Sequence, residues 1–163
     1  STSKYWASAI PRRHLFKTCT KRINKMPAVS LDEVYMNITK EIARLSYAER
    51  TKVGAVIVKD NSIISYGYNG TPYGQSNICE IDNVTKASVI HAEVNAISKA
   101  AKSGISTDRA TMYILLAPCV ECAKFIIQSG ISEVIYLDNY KNMDGLNLLQ
   151  DCKIKIKKLE KNI

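Results

Sequence analysis

A chain of 163 residues fits one compact domain. With 46% hydrophobic and 23% charged residues it is neither a disordered nor a fibrous sequence, and no apolar run approaches the roughly 18 residues that a membrane-spanning helix needs. The net charge of +8 is unevenly placed, because residues 1–25 carry seven bases and no acid while the remainder is close to neutral.

The acid-free start therefore reads as a basic N-terminal extension, residues 1–27, ahead of one domain spanning 28–163. Three readings of that extension stand side by side: a targeting peptide, a polyanion-binding segment, and a solvated arm that packs on a neighbouring subunit. A second basic run, Lys153, Lys155, Lys157 and Lys158, lies near the C-terminus. The five cysteines are irregularly spaced except for Cys119 and Cys122. That argues against a disulfide framework and for a reducing, cytoplasmic setting.

In chain order, Ser30-Leu31-Asp32-Glu33 is a capping box. Leu31, Val34, Ile38, Ile42 and Leu45 follow at helical spacing and predict a first helix to about Tyr47. Two β-rich runs, 53–59 and 63–68, flank the turn Asp60-Asn61-Ser62 as a hairpin. Residues 69–86 contain Gly70, Pro72 and Gly74 and read as a loop. A helix over 91–103 stops at Gly104, and a strand follows over 111–116. Pro118 opens a helix over 119–129 that ends at Gly130. A strand over 133–137, a short helix over 145–150 and a strand over 154–159 complete the order. Strands separated by helices pair in parallel through right-handed crossovers. The expectation is an α/β fold with one mixed five-stranded sheet and helices on both faces.

His91-Ala92-Glu93 opens one of these helices and Pro118-Cys119-Val120-Glu121-Cys122 opens the next. Cys119 and Cys122, three residues apart, share a face of the first helical turn, where the helix dipole favours thiolates. His91 stands at the matching end of the neighbouring helix. One histidine and two cysteines make three zinc ligands and leave a fourth position open, which is the pattern of catalytic zinc and not of closed structural sites. Glu93, two residues past the histidine, is placed to handle protons beside the metal. Alone, the histidine triplet or the Cys-x-x-Cys pair says little, since the pair also suits redox chemistry or half of a four-cysteine site. Cys19, Cys79, Cys152 and His14 form no second paired motif, so the conjunction of the two half-motifs is the specific signal.

Histidine-x-glutamate with proline-cysteine-x-x-cysteine is the signature of zinc deaminases acting on cytosine or adenine. The chain resembles the deoxycytidylate (dCMP) deaminase family of the cytidine deaminase-like superfamily, from about Leu31 to Leu159. The resemblance is carried by the run from Arg50 to Lys59, by Ile64 to Gly74 with its Gly67-Tyr68-Asn69-Gly70 loop, by His91 to Ile97, by Pro118 to Lys124, and by Gln128 to Ile131. It implies a three-layer α/β/α cytidine deaminase-like fold. It also implies zinc ligation by His91, Cys119 and Cys122, Glu93 as proton shuttle, and Asn69 against the substrate sugar. Asn69 also reads as a turn residue, and Asn95 as a substrate contact or a loop and subunit contact. No motif marks the phosphate-binding residues; Lys124, Arg109 and Tyr140 are the candidates, with Tyr140 taken as substrate-binding.

Many members of the family are hexamers, activated by dCTP and inhibited by dTTP near the glycine-rich loop. The resemblance thus implies a homo-oligomer and an effector site at Arg50, Gly67, Tyr68 and Gly70. Tyr47-Ala48-Glu49 departs from the small, cysteine-containing run common there. The segment between Gly74 and His91 holds only Cys79 and lacks the extra ligands of a second, structural zinc. These departures bear on allosteric control and a second zinc, not on the catalytic set. The implied reaction is hydrolysis of dCMP to dUMP and ammonia. The other readings are a deaminase of tRNA or single-stranded DNA, favoured by the basic extension, and a catalytically silent binding member. The near-neutral remainder shows no basic–aromatic surface for nucleic acid, and no membrane partner is expected.

Overall fold

The computed structural model describes residues 29–160, so the basic extension expected at 1–27 lies outside the described residues. Helix α1 (Leu31–Ala43) begins at the expected box, with the Glu33 N–H donating to Ser30 Oγ at 3.2 Å and the Ser30 N–H donating to Glu33 at 2.9 Å. It ends at Ala43, short of Tyr47. Leu45 and Ser46 donate to the Ile42 and Ala43 carbonyls in a tightened last turn, and Ser46 Oγ then donates to the Asn69 carbonyl.

Strands β1 (Gly54–Lys59) and β2 (Ser62–Tyr68) form the expected hairpin. Asp60 and Asn61 adopt φ of 50° and 58°, the left-handed pair that a two-residue turn requires. A second, smaller hairpin, β3 (Glu80–Ile81) with β4 (Val84–Thr85), stands where the sequence reading has only loop. Its turn residues Asp82 and Asn83 repeat the same chemistry at φ of 49° and 60°. Helix α2 (Ala92–Lys102), strand β5 (Thr111–Leu116), helix α3 (Val120–Gln128), strand β6 (Glu133–Asp138), helix α4 (Asp144–Asp151) and strand β7 (Lys155–Lys158) follow in the expected order.

The large sheet has the order β2-β1-β5-β6-β7. β1 runs antiparallel to both its neighbours, and β5, β6 and β7 run parallel. α1 packs on one face over Val56, Val58, Tyr113 and Ile135. α2, α3 and α4 cover the other over Ala55, Ile57, Met112, Ile114 and Val134. The expected three-layer α/β/α arrangement with a mixed five-stranded sheet is what forms. Among the described residues, no helix is long and apolar enough to cross a membrane.

The buried stripe of α1 is not the one its large aliphatics suggest. Leu31, Val34 and Leu45 are exposed, Ile38 and Ile42 only flank the core, and Tyr35, Met36, Thr39 and Ala43 face the sheet. The reason is a close approach: a Cβ on Gly54 would strike the Thr39 carbonyl and the backbone of Ala43. The small side of the helix is drawn onto the strand, and the bulky side chains turn outward. On the opposite face Gly67 does the same for α2, meeting the Ala92 carbonyl and the Ala96 N–H. That contact sets the start of α2, and with it His91 and Glu93, against the end of the β1–β2 hairpin.

Candidate metal centre and active site

The end of β2, the start of β1 and the carboxyl ends of β5 and β6 meet at one edge of the sheet, the usual place for a ligand cleft in α/β folds. Two helices begin there. His91 is the N-cap residue of α2 and Cys119 the N-cap residue of α3, both with extended backbone (φ −70° and −72°) that turns their side chains out of the helix. Cys122 follows three residues into α3 and is buried. Gly145, at the start of α4, lies against Pro118 and Cys119 with no room for a Cβ, which fixes the entry to α3.

His91 Nδ1 lies 3.6 Å from Cys119 Sγ and 3.3 Å from Cys122 Sγ. The three ligand atoms all lie within 4.8 Å of one another, and no other such group of three occurs among the described residues. A tetrahedral zinc with ordinary Zn–N and Zn–S bonds holds nitrogen and sulfur about 3.6 Å apart, so spacing and donor chemistry both fit zinc. Cys119 accepts hydrogen bonds from Cys122, including its backbone N–H, and lies beside His91; together these lower its thiol to about 3. Cys122 is pushed up, first by its hydrogen bond to Cys119 and then by burial. A divalent cation held by the three groups would stabilise both thiolates together. The hydrogen bond to Cys119 raises His91 against the opposing effect of burial.

Glu93 sits in the first turn of α2 and is only 5% exposed. Burial raises its carboxyl, and His91 and the hydrogen bond with Cys122 oppose that rise. A carboxyl moved toward neutrality can both take and return a proton.

These residues open onto a cavity of about 180 Å³ lined in its depth by Ala92, Glu93, Ala117 and Cys119, and by His91. Asn69 and Tyr140, the expected substrate contacts, both line it. Asn69 Oδ1 accepts from the Val53 N–H and its Nδ2 donates to the Thr51 carbonyl, both at 2.8 Å, so the side chain holds the strand entry and keeps a free oxygen lone pair. Asn95 is not brought to the cavity. Its amide donates to the Tyr68 carbonyl at 2.8 Å and clamps α2 to the end of β2. Of the residues expected at an effector site, Arg50 lines this same cavity. Gly67 makes the close helix contact, Tyr68 lies under Lys99 with the ammonium 5.0 Å from its ring centre, and Gly70 bridges to Ile90.

Lys124 pairs with Glu121 at 2.7 Å, and Arg109 lies at the opposite end of β5, so neither lines the cavity. Thr51, Glu80, Thr85 and Lys141 do, and the sequence reading has none of them. The Asp82-Asn83 turn between Ile81 and Val84 is the signal that would have found the hairpin carrying Glu80 and Thr85. Lys141 follows the carboxyl end of β6, where ligands gather in sheets of this kind.

Residues 29–138 match the family of the cytidine and deoxycytidylate deaminase zinc-binding region. The chain belongs to that family. ComE operon protein 2 of Bacillus subtilis is 38% identical, matching 71% of this chain and 64% of its own length. Human deoxycytidylate deaminase is 40% identical over 69% of this chain and 67% of its own. The chain thus spans about two thirds of the length of these relatives. The crystal structure of the cyanophage S-TIM5 dCMP deaminase, in complex with dCMP and dUMP, superposes with a TM-score of 0.77 at 38% identity, covering 79% of this chain and 96% of that one.

Proposed function

We infer that this chain is a zinc-dependent hydrolase that converts dCMP to dUMP and ammonia. The observation that carries the reading is one cavity lined by His91, Cys119 and the buried Glu93, with Cys122 within ligand distance of the first two. The relatives named deoxycytidylate deaminase and the likeness to an enzyme crystallised with dCMP and dUMP support the choice of substrate. Zinc held by the three ligands supplies a Lewis acid that makes water nucleophilic near neutral pH.

The chain's own residues do the rest. Glu93 takes a proton from the water that adds to C4 of the cytosine ring and passes it to N3. Glu93 then takes the proton of the new C4 hydroxyl and gives it to the exocyclic amine as its bond to C4 breaks, so that ammonia leaves and C4 becomes a carbonyl. One water is consumed, and no oxidant or reductant is needed. Ala92, Ala117 and Leu116 give the deep end of the cavity its apolar wall, which keeps other water away from the ring. Asn69 turns its remaining lone pair to a sugar hydroxyl. Cys79, Cys119, Cys122 and Cys152 are all unpaired, in keeping with a cytoplasmic setting.

Ammonia release from dCMP, dCTP, deoxycytidine and a cytosine-containing oligonucleotide tests this reading. Turnover of dCMP above the others is the expected result, and an oligonucleotide preference that collapses with added salt would overturn it. Homo-oligomeric assembly and response to dCTP or dTTP, both implied by the family resemblance, are measurable on the same preparation by sedimentation and by adding either nucleotide to the dCMP assay.

A further inference from the structure

Helix α1 is the one helix on its face of the sheet among the described residues, and a row of aliphatic side chains runs uncovered along its outer flank. Leu31, Val34 and Leu45 are 53%, 39% and 50% exposed, and Ile38 and Ile42 between them are only half-buried. Val34, Ile38 and Ile42 also line a shallow groove of about 480 Å³ on that flank. An apolar row of this kind marks a surface that another chain covers. The row reads the same from either end, because its five residues are separated by steps of three, four, four and three. A two-fold axis through Ile38, perpendicular to the helix, therefore lays Leu31 on the partner's Leu45, Val34 on the partner's Ile42 and Ile38 on the partner's Ile38. Steps of three and four residues are those of a helix–helix seam. Charge follows the same symmetry. The first turn carries Asp32 and Glu33, and the far end carries Lys40 and Arg44 against Glu41. Antiparallel helices bring the acidic start of one to the basic end of the other and oppose their dipoles.

We propose that the outer flank of α1 is a two-fold interface with a second copy of this chain, the two helices packing antiparallel about Ile38. It names a face for the homo-oligomeric assembly proposed above and rests on that reading. A second copy suits the row better than an unrelated partner, because a palindromic surface is complementary to itself, the condition that an isologous interface must meet. Gly54 helps to build the row: by drawing Thr39 and Ala43 onto the strand it turns the bulky side chains outward. A helix of 13 residues is about 20 Å long. This contact alone therefore covers less than the roughly 800 Å² per partner of a standard interface, and it should dissociate at roughly micromolar concentration.

The test is sedimentation of the full zinc-loaded chain over a concentration series, beside Leu31→Glu, Leu45→Lys and the double variant. Both positions are exposed, and each substitution complements the helix dipole at its own end, so the fold should hold, as urea unfolding checks. Each single change enters the two-fold contact twice and should raise the dissociation constant about ten- to a hundredfold. In the double variant the introduced carboxylate meets the partner's introduced ammonium, and association should return to within about threefold of wild type. The two positions of one chain lie about 20 Å apart along the helix, so that rescue cannot arise within a single chain. In a Cys152→Ser background, which removes the exposed native thiol, a mixture of Leu31→Cys and Leu45→Cys chains should cross-link on oxidation and neither chain alone should. A wild-type chain that stays monomeric at every concentration would refute the homo-oligomer and the interface with it. An assembly indifferent to both single changes would leave the homo-oligomer standing and overturn its placement on α1. Monomers whose Leu31→Cys and Leu45→Cys thiols resist alkylation would give the row to residues 1–28 of the same chain, which also overturns the proposal.

Discussion

The two faces of the sheet are built by the same device and put to different ends. On each, a strand glycine lets a helix settle so closely that a Cβ would strike helix backbone: Gly54 against Thr39 and Ala43 of α1, Gly67 against Ala92 and Ala96 of α2. The two glycines are near neighbours on adjoining strands, with Gly67 paired to Ala55. On the α1 side the close approach locks a tyrosine pair and an ion pair over the sheet, and no cavity chemistry results. On the α2 side the same approach delivers a helix start, and that start carries His91 of the three-ligand cluster and the buried Glu93. Close packing by itself therefore does not make a site. What differs is which end of the helix, the C-terminal end of α1 or the N-terminal end of α2, is pressed to the sheet.

The sharpest way to break this contrast is to strike the α2 side at its chemistry. Cys119→Ser should cost most of the bound zinc and nearly all turnover while leaving the α1 face intact, measured by metal analysis alongside activity. Full metal content in that variant would show that the ligand set is wrong. Glu93→Gln should keep the zinc and the fold and lose on the order of 10²–10⁴ in kcat, the usual worth of a positioned acid–base group. Near wild-type turnover would mean that another residue moves the protons.

The paired glycines sharpen the comparison directly. Gly67→Ala and Gly54→Ala each force a helix off the sheet, and overpacking of this kind typically destabilises by about 1–3 kcal/mol. The stability losses should be similar in urea unfolding, but only Gly67→Ala should also weaken zinc retention and dCMP turnover, because His91 and Glu93 ride on α2. Equal loss of activity from both substitutions would remove the distinction between the faces.

How much of this could be read from the sequence follows the same division. The metal centre was legible because its residues sit at helix starts, where cap chemistry and short spacing tie identity to geometry: His91, Glu93, Cys119 and Cys122 needed no knowledge of tertiary distance. The sheet and its helices were legible from periodicity and turn chemistry. The buried stripe of α1 was not, since hydrophobicity points to Leu31, Val34 and Leu45 while the outcome was decided by a glycine more than ten residues away. The cavity mouth was also illegible. Arg50, Glu80, Thr85 and Lys141 come from separate segments and meet only when the sheet edge and the β3–β4 hairpin are in place. Asn95 shows the converse: its position in the motif suggested substrate, and its amide goes to the Tyr68 carbonyl.

The smallest expected effect belongs to the α1 side and depends on pH. Asp32, in the first turn of α1, accepts a hydrogen bond from Tyr113 at 2.7 Å and pairs with Lys157 of the edge strand β7. Burial works against its charge, but the bonds from Lys157 and Tyr113 outweigh burial, and the carboxyl titrates below its ordinary value. Its folded form therefore holds its proton less tightly than the unfolded chain does. The resulting stability is complete above the unfolded value, about pH 3.9, and is lost as pH falls through the folded one. Asp32→Asn keeps an acceptor for Tyr113 and removes the charge. It should lower stability by about 1 kcal/mol at neutral pH, a modest figure because Lys157 is half exposed and salt screens the pair. Urea unfolding of both proteins from pH 7 down to acid should show the gap closing below about pH 4, with zinc content and dCMP turnover unaffected at neutral pH. A gap that stays constant with pH would show that the amide disturbs packing and that the charge pair contributes nothing; a loss of zinc would show that the two faces of the sheet are coupled after all.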